Sequence, residues 1–231
     1  MTVTLLDNFK LPITADMVLR GQGAEPAVIC ARRPQLADVA ETALQKGLPL
    51  LAPLAITRRM SVVSVRHQRI DLEGGFLTGE LPAQKLAVAR EVFIVLCTIG
   101  IALERYASEV YRYDPALGLA LDSLGSVAVD ALAAEVCRRI ADEAQALGLQ
   151  TTFPISPGLV GWELGVGQRQ IFSLLKPDPG LIRLEYSGQM IPLKSTSLVI
   201  GWGEDVDHTS STCDYCAVRF NCRYQPSLTS S

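Results

Sequence analysis

The chain has 231 residues, 48% hydrophobic and 19% charged, enough to bury a substantial core as one large domain or two small ones. A net charge of -3, scarce aromatics and only isolated pairs of arginines (Arg32-Arg33, Arg58-Arg59, Arg138-Arg139) leave no electrostatic reason to expect nucleic acid. The longest apolar run, residues 92–103, falls short of the roughly 20 residues a bilayer crossing needs. The N-terminus, with Asp7 and Lys10, lacks the cationic start and long apolar core of a signal peptide, so no membrane association and a cytoplasmic location are expected.

In chain order, residues 16–21 read as a short helix ending at Gly21. Residues 35–46 carry Leu36, Val39, Ala40, Ala43 and Leu44 at helical spacing and are closed by Gly47. Segments 61–66 and 68–72 are β-prone and end in a turn at Glu73-Gly74-Gly75. A helix over 82–89 precedes a strand over 92–97, and Thr98-Ile99-Gly100 joins that strand to a helix running through Tyr113. Asp114 caps the next helix and Pro115 fits its first turn; the pattern continues to Leu147, with Gly148 as the stop. Ser156-Pro157-Gly158 breaks the backbone sharply, because Pro fixes φ and Gly permits positive φ. A helix-like pattern follows, then strands over 182–186 and 197–202. Pro192 and Lys194 interrupt the extended run 190–197, which suggests an edge or a bulge. Helices alternate with strands too irregularly for a doubly wound sheet, so the fold class is α+β, with helices packed on a twisted sheet.

Six cysteines fall into two groups. Cys30, Cys97 and Cys137 lie in apolar surroundings and read as buried small hydrophobes. The second group is His208-x4-Cys213-x2-Cys216-x5-Cys222. A C-x2-C pair lets two thiolates reach one metal, and the third cysteine with the histidine would close a tetrahedral zinc site. Three thiolates can equally hold an iron–sulfur cluster with a fourth ligand from elsewhere. Asp205 and Asp207 are weaker ligands, the second C-x2-C of a strong zinc signature is missing, and free or redox-active thiols are the alternative. His67 lacks a visible partner and reads as a surface residue. Asp122, Asp130 and Glu135 read as solvated or interhelix positions. Gly161, Gly165 and Gly167 do not follow a dinucleotide-binding pattern, and no catalytic constellation stands out.

Residues 153–175, FPISPGLVGWELGVGQRQIFSLL, with residues 181–186 and the run 190–197, resemble the activation (reactivation) domain of cobalamin-dependent methionine synthase and its short stand-alone relatives in corrinoid methyl-transfer systems. Val18-Leu19-Arg20-Gly21, the Thr98-Ile99-Gly100 joint and Leu121-Asp122-Ser123-Leu124-Gly125-Ser126 resemble relatives' motifs in the same order. No single motif is specific; order and spacing carry the likeness over residues 15–203. The resemblance implies a twisted, mainly antiparallel sheet packed with helices over residues 1–203; the residues themselves read as a cysteine-rich segment over 204–225 and a disordered tail over 226–231.

In that family the turn reads R-x-S/A-P-G-Y, and an arginine and backbone groups hold the carboxylate end of S-adenosylmethionine, a task suited to a planar guanidinium. Here Pro154 and Leu159 occupy the arginine and tyrosine positions, so S-adenosylmethionine loses two of its expected holders. What the resemblance leaves as cofactor-binding positions are Ser156, Pro157, Gly158 and Trp162. Lys194 would face an anionic group such as a corrinoid edge or phosphate; the other reading is a solvated lysine, and for the turn a packing role. The functional expectation is an accessory protein of a corrinoid-dependent methyltransferase system. It would dock on the corrinoid-binding protein, which carries the cofactor, and support reactivation or methyl transfer beside the partner methyltransferase. The alternatives are reductive methylation of cob(II)alamin by S-adenosylmethionine, with Arg169 or Arg183 replacing the missing guanidinium, or a zinc-stabilised interaction domain without catalysis.

Overall fold

The structure, a computed structural model, describes residues 2–222. The expected disorder of residues 226–231 lies outside them. In chain order the elements are β1 (Val3–Leu6), α1 (Ala15–Gly21), α2 (Pro26–Arg32), α3 (Pro34–Gly47), β2 (Leu54–Arg66), β3 (Arg69–Leu72), β4 (Gly75–Thr78), α4 (Glu80–Lys85), β5 (Glu91–Thr98), α5 (Ala102–Tyr111), α6 (Pro115–Ala146), β6 (Gln150–Thr151), α7 (Leu164–Leu175), β7 (Arg183–Leu184), β8 (Met190–Ile191) and β9 (Ser195–Gly203).

One antiparallel sheet runs β4-β3-β2-β5-β9-β6, and β1 adds to β2. The 13-residue β2 spans two neighbourhoods. Its first part, Leu54 to Ser61, pairs with β5, and its last part, Val62 to Arg66, pairs with β3 across an irregularity between Val62 and Ser64. Such an irregularity bends the strand and increases its twist, which lets the sheet curl.

β5 is buried on both faces, which is why residues 92–97 read as an unbroken apolar run rather than an alternation. Phe93, Val95 and Cys97 face one core with Leu198, Ile200 and Trp202 of β9, covered by α1, α3, α5 and α6. Val92, Ile94 and Leu96 face a second core with Met60, Phe153, Ile155, Trp162 and the inner face of α7.

The 32-residue α6, about 48 Å long at 1.5 Å per residue, is the main support of the first core. Leu117, Leu121, Leu124, Ala128, Leu132, Val136, Ile140 and Ala144, at spacings of three and four, are among its buried positions. Asp114 accepts from the Leu117 N–H at 3.1 Å, and Pro115 occupies the first turn, as the sequence implied. By length and hydropathy α6 is the one described helix that could cross a bilayer, and 56% of its most apolar window is buried inside the fold.

Several local expectations change. The strand expected over 182–186 reduces to the two-residue β7, paired with β8 in a separate ribbon. Residues 195–203 form a strand paired along its length with β5, so the run 190–197 ends one ribbon and begins a central strand rather than forming an edge. Cys30 is exposed, because α2 buries only Pro26; Cys97 is buried and Cys137 half-buried.

Candidate functional site

The turn after β6 is tied down from both sides. Ile155 exchanges two 2.9 Å backbone hydrogen bonds with Val199 of β9. The Gly158 N–H donates to the Trp162 carbonyl at 2.9 Å, Leu159 donates to Ser156 at 3.3 Å, and Trp162 donates to Leu159 at 2.9 Å. Gly158 and Gly161 take φ of 98° and 91°, which only glycine adopts without strain, and the Gly161 carbonyl accepts from Leu81 at 3.1 Å. The expected backbone break is therefore present, and it joins β9 to α4.

Trp162 is the pin of the turn. It is buried against Gly79 and Gly167, where a Cβ would come within 2.7 Å of its ring. Its indole Nε1–H has no acceptor among the described residues, an uncommon state for a buried donor.

Two hollows flank the turn. One, of about 970 Å³, is lined by the β2–β3 hairpin (Arg66 to Arg69), Thr78-Gly79-Glu80, Gly158, Leu159, Gly161, Trp162 and the first turn of α7. Arg69 is held by Asp71 at 2.7 Å and lies 3.8 Å from the Phe76 ring. The hydrogen bonds from Arg69 and then Ser64 hold the Asp71 carboxyl below its ordinary range. Glu163 is committed to capping α7, accepting from Gly165 and Val166 N–H at 2.9 Å each. His67, at the hairpin tip with φ of 20°, faces this hollow and is exposed, as expected of a surface histidine. The other hollow, of about 610 Å³, lies between the end of α6 and residues 148–153, and is closed on one side by His208 and Ser210.

Of the five positions singled out for cofactor binding, Gly158 and Trp162 line the larger hollow, and half-buried Ser156 and buried Pro157 shape the turn behind it. Lys194 is elsewhere. Its ammonium lies 2.8 Å from Asp122 and 2.9 Å from Ser126 Oγ, and its stem crosses Gly125, where a Cβ would meet it at 3.0 Å. Neither solvated nor beside the turn, Lys194 fastens the start of β9 to α6. Arg169 packs against the first turn of α7, 3.2 Å from where a Gly165 Cβ would stand. Arg183 is paired with Glu185 at 2.8 Å and lines a third hollow at the far end of the strands, beside Leu54 and Thr98.

The C-terminal segment embraces this turn closely, through contacts that no local sequence pattern marks. Lys85 of α4 pairs with Asp207 at 2.7 Å, and Thr212 Oγ1 donates to the Pro154 carbonyl at 3.1 Å. Val160 N–H donates to the Tyr215 carbonyl at 2.9 Å, and the Tyr215 ring stacks on Phe153 with centroids 5.2 Å apart and planes 6° apart. Residues 207–215 thus form a strap over the turn.

The proposed metal ligands do not converge. Cys213 is exposed and Cys216 half-buried on the strap, whereas His208 turns to the smaller hollow. Among the described residues no three histidine, cysteine or acidic side chains are grouped to hold a metal ion. The zinc or iron–sulfur reading of His208, Cys213, Cys216 and Cys222 therefore has no assembled group of three donors behind it among the described residues.

No family model matches the chain, and no curated protein matches it in sequence. Among solved structures it is similar to the crystal structure of the MetH reactivation domain bound to AdoHcy, with a TM-score of 0.66 and 12% identity over 91% of this chain and 81% of that chain. The fold is that of the MetH reactivation domain. The resemblance read from residues 153–203 and the motifs before them thus holds for the architecture: helices packed on a curled antiparallel sheet, extending over nearly the whole chain.

Proposed function

We propose that this chain is an accessory protein of a corrinoid-dependent methyltransferase system, docking on the corrinoid-binding protein and supporting its reactivation or methyl transfer in the cytoplasm. The observation that carries this reading is the fold match over 91% of the chain to a reactivation domain. With Pro154 and Leu159 in the turn, the chain lacks the guanidinium that would hold a carboxylate there and the tyrosine hydroxyl beside it. Losing one charge-assisted contact weakens binding by about 1.5–3 kcal/mol, or ten- to more than a hundredfold. The role is accordingly docking on the corrinoid protein rather than independent methylation.

Purified protein should co-elute with a corrinoid-binding protein held in the cob(II) state. Failure to bind a corrinoid protein encoded beside it removes the proposal.

A second reading, reductive methylation with S-adenosylmethionine, is favoured by one observation. The Arg169 guanidinium reaches back to Gly165 in the first turn of α7, whose Leu164 and Val166 line the larger hollow, whereas Arg183 lines the hollow beside Leu54 and Thr98. Titration calorimetry decides it: heat with S-adenosylmethionine, lost in Arg169→Ala, supports this reading, and no heat up to millimolar ligand eliminates it.

A further inference from the structure

We propose that Cys213 and Cys216 form a reversible dithiol–disulfide pair that locks the C-terminal strap onto the turn at residues 153–160. The two thiols bracket Tyr215, the residue that makes both the ring stack on Phe153 and the backbone bond to Val160. Cys216 N–H donates to the Cys213 carbonyl at 3.3 Å, closing a tight turn over the single helical turn Thr212–Tyr215. A turn closed this way brings the first and fourth Cα atoms within about 7 Å, the separation a disulfide spans.

Accessibility orders the chemistry. Cys213 is exposed and Cys216 is half-buried, so an oxidant meets Cys213 first and Cys216 resolves the product. The turn is pre-shaped without the bond. Ser211 and Asp214 cap it reciprocally: Ser211 N–H donates to the Asp214 carboxylate at 2.7 Å, and the Asp214 N–H donates to the Ser211 side chain.

With a small-molecule disulfide as oxidant, the Cys213 thiolate attacks one of its sulfurs, forming a mixed disulfide and releasing one thiolate. The Cys216 thiol then gives up its proton and attacks the Cys213 sulfur, forming the Cys213–Cys216 bond and releasing the second thiolate. Two protein thiols are oxidised, one reagent S–S bond is reduced to two thiols, and the two protons leave with the departing sulfurs. Because the cross-link closes around Tyr215 in the conformation that already docks, the oxidised strap opens less often. Opening of the strap uncovers the Pro154 carbonyl and the face of Phe153, so this pair would set access to the turn. The proposal rests on the strap contacts alone and stands whether or not the partner is a corrinoid protein.

The test uses the full chain, treated with a chelator and then with oxidised glutathione or with dithiothreitol. Intact mass should fall by two hydrogens on oxidation, and peptide mapping should join Cys213 to Cys216. Exchange of the Val160 amide hydrogen should slow by about tenfold, the order expected for a short cross-linked loop. Cys213→Ser and Cys216→Ser should each abolish the slowing, and Cys222→Ser should keep it. A map joining Cys222 to either partner, a glutathione adduct that persists on Cys213, or Val160 exchange unchanged by the disulfide overturns the proposal.

Discussion

The Lys85 ammonium sits 2.7 Å from the Asp207 carboxylate and so ties α4 to the start of the strap. Asp207 also accepts from the Thr209 and Ser210 N–H groups and hydroxyls. Lys85 first, then Ser210 and Thr209, hold the Asp207 carboxyl well below its usual range, and Asp207 in turn raises the Lys85 ammonium above its own. A depressed carboxylate contributes attachment that is complete above its unfolded value, near 3.8, and is lost as pH falls through the folded value. A raised ammonium contributes attachment that is complete below 10.5 and is lost as pH rises through its folded value. Strap attachment should therefore be flat between about pH 5 and pH 9 and weaken in stronger acid or base. Limited proteolysis across pH checks this, and Lys85→Met should raise cleavage after Arg219 at neutral pH.

Arg59 stacks 4.1 Å from the Trp202 ring and pairs with Glu91, which also accepts from Trp202 Nε1 at 2.8 Å. Burial pushes the Glu91 carboxyl up, but the hydrogen bonds from Arg59 and Trp202 together outweigh it, so it stays ionised below its usual range. Glu91→Ala leaves the buried indole N–H without its acceptor and Arg59 with only Glu143 at 3.5 Å as a carboxylate partner, and should cost about 1–3 kcal/mol in urea unfolding. Glu91→Gln, which keeps an acceptor, should cost less.

Gly79 has φ of 150°, and a Cβ there would stand 2.7 Å from Trp162. Gly79→Ala combines backbone strain with overpacking and should destabilise by about 2–4 kcal/mol. The near-ultraviolet signal of Trp162 should change with it, whereas Gly148→Ala, with nothing within 4 Å of its Cβ, should leave that signal intact.

Burial pushes the Cys97 thiol up to about 12 and the Cys137 thiol up to about 11. Alkylation of the native protein at pH 8 should modify exposed Cys30 and Cys213 first, and Cys97 only after unfolding. Mass spectrometry of timed digests reads the order; early labelling of Cys97 would contradict the packing of β5.

The strand-to-helix passage from residue 92 to 113, the Asp114-Pro115 start of α6 and the sharp break at Gly158 were legible because each depends on residues adjacent in the chain. β1, β6 and β8 have two to four residues, too few for an alternation to be seen. α2 hid for another reason: its start, Glu25, makes no side-chain cap and Pro26 is its one buried residue, so no apolar period marks it. The same exposure misled the reading of Cys30, whose apolar neighbours Val28 and Ala31 are not a core. The site was half legible. Gly158 and Trp162 announced the turn, but Lys194 finds α6 because Gly125 leaves room for its stem, a meeting across 69 residues of chain that no local pattern reports. Cysteine spacing likewise fixes proximity in sequence and says nothing about His208 turning away.

Because β2 belongs to both halves of the curled sheet, its backbone is a continuous beam between the hairpin bordering the larger hollow and the strands carrying the first core. One half cannot swing against the other without snapping rungs of that ladder. Any rearrangement of the molecule must come from peripheral segments, and the main body moves as one piece.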